Sequence, residues 1–148
     1  MRQYRRILCA VDFSEATPTV AEHAAMIAEV MDAQVLVVYV APSLSRYRDF
    51  QVSASSVTEF VQSIVSGAER SMEQVLDKYF AGLDADGGVL TGYPAELIVK
   101  TAYDEQCDLI VIGTHGRRGV GRILFGSVAE KVVKESSIPV LTIKPLVH

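Results

Sequence analysis

Residues 113 to 133, GTHGRRGVGRILFGSVAEKVV, carry five of the chain's ten glycines and three arginines. The segment begins as an apolar run, Leu109-Ile110-Val111-Ile112, ends, and it leads into an amphipathic stretch. Glycine lets a backbone turn sharply off a strand and lets a ligand approach where a Cβ would stand. Arginine supplies charge and paired donors for phosphate oxygens. The start of a helix offers free N–H groups at the positive end of the helix dipole, which favours an anion. Residue types in this order suit the gripping of a polyphosphate from two sides. Gly113 and Gly116 form one cluster, Gly126 and Ser127 the other, with Arg117, Arg118 and Arg122 between them. Asp12 closes the first apolar run of the chain and could accept hydrogen bonds from a sugar or a base.

Two well-known phosphate loops are absent. No lysine follows any of these glycines, so G-x-x-x-x-G-K-[ST] is not present, and no G-x-G-x-x-G follows a strand. A purely structural reading stands beside the chemical one. Ser127-x-x-Glu130 fits a capping box, in which Ser127 caps its own helix. The glycines would then serve turns and the arginines would be solvated.

The elements that must position these residues alternate along the chain. Ile7 to Val11 reads as a strand, and a helix follows from about Glu15 to Met31, with Val20, Ala21, Ala24, Ala28 and Met31 on one stripe. Pro18 fits only in its first turn, and Ser14 or Thr17 is the expected cap. Val35 to Val40 is apolar throughout, as in a strand buried on both faces. Residues 41–56 lack a period and read as a surface loop. A long helix carries Val57, Phe60, Val61, Ile64, Val65, Ala68, Met72, Val75, Leu76 and Tyr79 at helical spacing, and Gly82 is its expected stop. A weak strand near 88–91, a helix from Pro94 to about Glu105, a strand over 108–113, a helix from Ser127 to Glu135 and a strand over 138–144 complete the pattern. This alternation predicts an α/β fold, a doubly wound five-stranded parallel sheet with helices on both faces. A strand order of 3-2-1-4-5 would set strands one and four side by side at the switch point, where such sheets bind ligands. Asp12 and Gly113 would then be neighbours.

Length and composition agree with one domain over 1–148: the chain is 49% apolar, which argues against disorder. The net charge of −4 argues against nucleic acid as the main partner, since such binding relies on a basic face. The basic-then-apolar opening MRQYRRILCAVDFSE imitates a secretory leader, but its apolar run is about half the minimum length. No run approaches the roughly 20 apolar residues of a membrane span. A cytoplasmic protein without a membrane partner is expected. Cys9 and Cys107 lie in or beside apolar runs and read as reduced core residues, without metal spacing around them.

The chain resembles the universal stress protein family over essentially its whole length. The residues that carry the resemblance are Ile7-Leu8-Cys9-Ala10-Val11-Asp12-Phe13-Ser14, Gly92-Tyr93-Pro94-Ala95, Cys107 through Gly116, Gly126-Ser127-Val128-Ala129-Glu130, and Ile138-Pro139-Val140-Leu141. Members that bind ATP carry G-x2-G-x9-G-[ST], which Gly113, Gly116, Gly126 and Ser127 match without a gap. The resemblance thus implies an adenine nucleotide alpha hydrolase-like fold and ATP as ligand, with Mg²⁺ or Mn²⁺ on its phosphates and no protein metal site. Carried over by position, it implies that Ala10 and Asp12 meet adenine or ribose. Val40 would meet the adenine edge, and Ile112 and Gly113 the ribose side. His115, Gly116 and Arg117 would lie along the phosphates, with Gly126, Ser127 and Val128 at the helix end. Ala10 and Val11 stand where some binders have polar residues or proline, which leaves backbone contacts there. The resemblance also implies a homodimer through the fifth strand, with Val140, Leu141 and Ile143.

No catalytic residue is expected. His115 lies in the loop, but a general base needs a partner and a target, and the sequence shows neither. His23 reads as a helix-packing or surface residue and His148 as terminal. Three functions stay open: an ATP-binding stress or signalling module, a dimeric scaffold without nucleotide, and a slow ATPase or nucleotidyl-transfer enzyme. The matched glycine site without a catalytic constellation favours the first.

Overall fold

The computed structural model describes residues 2–41, 54–115 and 126–145. Five strands form one parallel sheet: β1 (Arg6–Ala10), β2 (Gln34–Ala41), β3 (Ala85–Thr91), β4 (Leu109–Gly113) and β5 (Val140–Ile143). Their order is β3-β2-β1-β4-β5, the expected one that sets strands one and four side by side. The helices are α1 (Thr17–Met31), α2 (Ala54–Tyr79), α3 (Pro94–Asp104) and α4 (Ser127–Glu135).

Strand alternation explains the layers. Successive side chains of a strand point to opposite faces, so β1 sends Ile7 and Cys9 one way and Leu8 and Ala10 the other. The first set packs with Val35, Val37, Leu109 and Val111 under α1 and α2. The second packs with Val38, Val40, Ile110 and Ile112 under α3 and α4. Ile7, Leu8, Ile110 and Val111 are fully buried, and each such side chain stabilises the fold by about 1.5–3 kcal/mol. On α1 the buried stripe is mostly alanine, at Ala21, Ala24 and Ala28, which lets the helix lie close on the central strands.

Boundaries moved where caps were inferred from residue type. Pro18 does lie in the first turn of α1, but the N-cap is Ala16 and no side chain caps the helix. Ser14, an expected cap, instead accepts the Ala16 N–H on Oγ at 3.2 Å, and the other candidate, Thr17, is already helical. β3 runs from Ala85, three residues before its expected start at Gly88. Phe60, placed on the α2 stripe by its spacing, is half exposed. Gly82 follows α2 at φ 81, as expected of a stop. Asp108 precedes β4 and acts as a clamp: its carboxylate accepts the Arg5 N–H at 2.9 and 3.1 Å and the Arg6 N–H at 3.1 Å. That ties the start of β1 to the start of β4. Most of the expected loop, residues 42–53, lies outside the described residues, and its expected last residues, 54–56, begin α2.

Candidate nucleotide site at the switch point

β1 pairs with β2 on one side and with β4 on the other. The chain leaves β1 for α1 on one face and leaves β4 for α4 on the other. A crevice therefore opens beyond the carboxyl ends of β1 and β4. Ala10 pairs with Val38 and Ile112, while Tyr39, Val40 and Ala41 run on past it beside β3.

Asp12 lies directly beyond β1 and is half buried. Its Oδ1 accepts the Ser14 N–H at 3.0 Å across a tight turn. Phe13, in the middle of that turn, has φ 58. This left-handed conformation is rare for a bulky residue and stores strain. The Phe13 ring packs against Tyr39, with centroids 4.7 Å apart and planes at 44°. Strain at this turn fixes the direction in which Asp12 leaves the sheet.

Gly126 meets the turn beyond Gly113. Thr114, just beyond β4, accepts the Gly126 N–H on its carbonyl at 2.5 Å and donates its own N–H to the Ile143 carbonyl at 2.9 Å. A Cβ on Gly126 would lie 3.1 Å from the Thr114 carbonyl oxygen and 3.9 Å from His115 Cα. A Cβ on Gly113 would lie 3.1 Å from Val20 Cγ2. Both glycines thus answer to close approaches within the protein itself, which no Cβ would allow without displacement. His115 is half buried, and its Nδ1 lies 2.8 Å from Thr114 Oγ1.

The expected capping box is not formed. Gly126, at φ −72 and ψ 162, is the N-cap of α4, and no side chain caps the helix. Ser127 is the first helical residue and is exposed. The reason is one of register: Gly126 is held by Thr114, so the chain enters the helix one residue earlier than a serine cap requires. The N-terminal N–H groups of α4 keep the positive end of the helix without a side-chain acceptor.

Ala10, Val40 and Ile112 turn their side chains to the α3/α4 face, where all are buried, and Val128 packs against the same cluster. They give the crevice an apolar floor. Gly116, Arg117, Arg118 and Arg122 lie outside the described residues, as does His148. His23 is half buried, with Nδ1 2.8 Å from the Thr19 carbonyl oxygen of its own helix. Cys9 and Cys107 are buried and unpaired. Burial pushes the Cys9 thiol up to about 12. Burial also raises Cys107, opposed by the charge of Arg6. Among the described residues no group of three His, Cys, Asp or Glu could hold a metal ion. A separate open hollow of about 670 Å³ lies at the amino ends of the strands, lined by Arg2, Gln3, Tyr4, Arg5, Asp108 and Pro139. Its carboxylate is already engaged by backbone N–H groups, and it is remote from the glycine segment.

Three contributors escaped the sequence reading: Thr114, the Phe13–Tyr39 pair and Val20. Thr114 stood in view inside Gly-Thr-His-Gly, but a single threonine does not announce a buried hydroxyl.

Residues 3–144 match the model of the Universal stress protein family. The chain belongs to that family. A universal stress protein of Methanocaldococcus jannaschii, MJ0531, is 34% identical over 143 residues, covering 95% of this chain and 82% of that one. The solved structure of MJ0577 superimposes with a TM-score of 0.86 at 29% identity, covering 99% of this chain and 100% of that one. The universal stress protein of Archaeoglobus fulgidus in complex with dAMP gives a TM-score of 0.68 at 25% identity, covering 97% and 100%. The universal stress fold of this chain is thereby established along with its family. No helix among the described residues is long and apolar enough to cross a membrane.

Proposed function

We propose that this protein binds an adenine nucleotide, ATP foremost, and works as a nucleotide-responsive stress or signalling domain rather than a fast enzyme. The observation that carries this reading is the Gly126-to-Thr114 hydrogen bond, which sets an uncapped helix N-terminus against the turn beyond β4. Such a helix end favours an anion. The dAMP complex of the Archaeoglobus fulgidus protein supports adenine as the base. On this reading Ala10, Val40 and Ile112 receive the adenosine over an apolar floor, with Asp12 as the acceptor for ribose or base and Gly113 on the ribose side. His115, Gly126, Ser127 and Val128 serve the phosphates, and Gly116 and Arg117 would lie along them. Mg²⁺ or Mn²⁺ would arrive on the phosphates and neutralise part of their charge, keeping waters as its other ligands.

The proposal extends to assembly and location. Among the described residues β5 pairs only with β4 in the sheet, and Leu141 on β5 and Val133 on α4 are exposed. An open apolar edge strand favours pairing with another chain, and a homodimer through β5 is the assembly proposed. Two buried, unpaired thiols accord with the reducing cytoplasm, and the domain is taken to span residues 1–148.

Nucleotide carried through purification, released by denaturation and identified by mass spectrometry, tests the reading, together with calorimetric titration of ATP. Gly126→Val, whose side chain would crowd the Thr114 carbonyl, and Asp12→Ala should each lower affinity at least about tenfold, a loss of ~1.4 kcal/mol. Circular dichroism verifies that both variants fold. Absence of nucleotide from the wild type, with no heat on titration, would falsify the proposal.

A further inference from the structure

The outward face of α1 is unlike those of α3 and α4. On α3 and α4 the surface acids are paired: Glu96 and Glu135 with Lys131 at 3.4 and 3.9 Å, Glu130 with Lys134 at 3.0 Å, and Asp104 with Lys100. α1 contains no lysine or arginine. Its exposed acids Glu22 and Glu29, and Asp32 at its C-cap, make no ion pair among the described residues. Glu29 and Asp32 stand at the negative end of the helix dipole, and the last turn holds no basic residue to offset them. Beside these acids lie Met26, 55% exposed, and Val30, 77% exposed. Residues 22, 26, 29 and 30 share one side of the helix at spacings of four, three and one. That side lies opposite the stripe of Val20, Ala21, Ala24 and Ala28 that packs on the sheet. A β-branched residue at an exposed helical position and carboxylates at the wrong helix end both work against the helix itself. Local conflicts of this kind gather at functional sites.

We infer that this face of α1 is a docking surface for a basic amphipathic helix of another protein. The partner's apolar side chains cover Met26 and Val30, and its lysines or arginines meet Glu22, Glu29 and Asp32. Charge selects this occupant. A second copy that docked α1 against α1 would set the same acids opposite one another, and an anionic lipid surface would be repelled by them. A basic helix answers both features of the face: its cations supply what the last turn lacks, and its apolar residues take Met26 and Val30 out of water. Two apolar side chains make a small anchor, so the complex is weak and sensitive to salt. The inference stands apart from the nucleotide reading and uses none of the residues assigned to it.

The probe is a synthetic peptide of about 15–20 residues, long enough to form a helix, with leucine on one face and lysine on the other. The control is the same peptide with glutamate in place of lysine. Amide NMR of the full chain titrated with the lysine peptide should show shifts concentrated on α1, and the glutamate peptide should cause none. Glu22→Gln/Glu29→Gln should weaken binding of the lysine peptide at least about tenfold and flatten its dependence on salt. Met26→Ser/Val30→Ser should weaken it at least about tenfold and leave the salt dependence in place. Both double variants alter exposed side chains only, so the wild-type circular dichroism should be retained. Failure of the lysine peptide to bind, wild-type affinity in either double variant, or shifts spread over the acids of other helices would overturn the inference. A wild-type dimer that dissociates on Met26→Ser/Val30→Ser, read by light scattering, would show a second copy to be the occupant and overturn it equally.

Discussion

Replacing Phe13 by glycine should leave the protein more stable than replacing it by alanine, the reverse of the usual order. Phe13 has φ 58, and its ring is half buried against Tyr39. Both substitutions remove the ring. Half of the burial of a phenylalanine is worth about 1 kcal/mol, and the aromatic pair adds about 0.5–1.5, so each variant loses roughly 2 kcal/mol on that account. The difference between them isolates the backbone. Alanine keeps a Cβ in the left-handed region at a cost of about 1–2 kcal/mol, which glycine avoids. Glycine in turn gives the unfolded chain more freedom, a cost of about 0.4–1 kcal/mol. Glycine should come out ahead by about 0.5–1 kcal/mol, whereas in a helix interior alanine leads by about 1 kcal/mol. Equilibrium urea unfolding with a slope of about 2 kcal/mol/M would separate the midpoints by about 0.3–0.5 M. An alanine variant as stable as the glycine variant, or more so, would show that the turn is unstrained. The claim that it aims Asp12 by strain would then fall.

Asp108→Ala removes the acceptor of the Arg5 and Arg6 N–H groups and should cost about 2 kcal/mol, a fall in Tm of about 4–8 °C by calorimetry; Asp108→Asn, which keeps one acceptor oxygen, should cost about half as much. The buried Cys9 thiol, pushed up to about 12 from 9.0, binds its proton more tightly folded than unfolded, so its stabilisation is complete below pH 9 and is lost as pH rises toward 12. At pH 10 the loss is about 1.4 kcal/mol, and Cys9→Ala should show a flatter alkaline limb in its Tm–pH profile; parallel limbs would refute the assignment. Leu141→Lys, on the exposed edge of β5, should convert a dimer into a monomer by light scattering at micromolar concentration, and a wild-type monomer would refute the proposed assembly.

Much of the architecture was legible without coordinates because apolar period and strand length are local signals. Runs such as Val35 to Val40 and Leu109 to Ile112 announced strands buried on both faces, and their alternation with helices implied the parallel sheet. The glycine spacing at Gly113 and Gly126, with Asp12 at the first strand end, marked the candidate site. Cap identity was less legible, because Ser14, Thr17 and Ser127 all have the chemistry of a cap. None of them is one: the N-caps are Ala16 and Gly126.

The sequence by itself determined the order of the elements and the residue types at the crevice, since these follow from periodicity and composition, and it carried the family resemblance in segments such as Ile7 to Ser14 and Cys107 to Gly116. Tertiary structure alone decided that Gly126 and not Ser127 is the N-cap of α4, because the Thr114 carbonyl holds it there. It also decided that Asp108 clamps β1, that Phe13 turns left-handed beside Tyr39, and that Thr114 meets His115 inside the fold. The clamp and the cap depend on hydrogen-bond partners brought together by the pairing of β1 with β4 and by the docking of α4. The two ends of the clamp, Arg5 and Asp108, lie 103 residues apart in the chain.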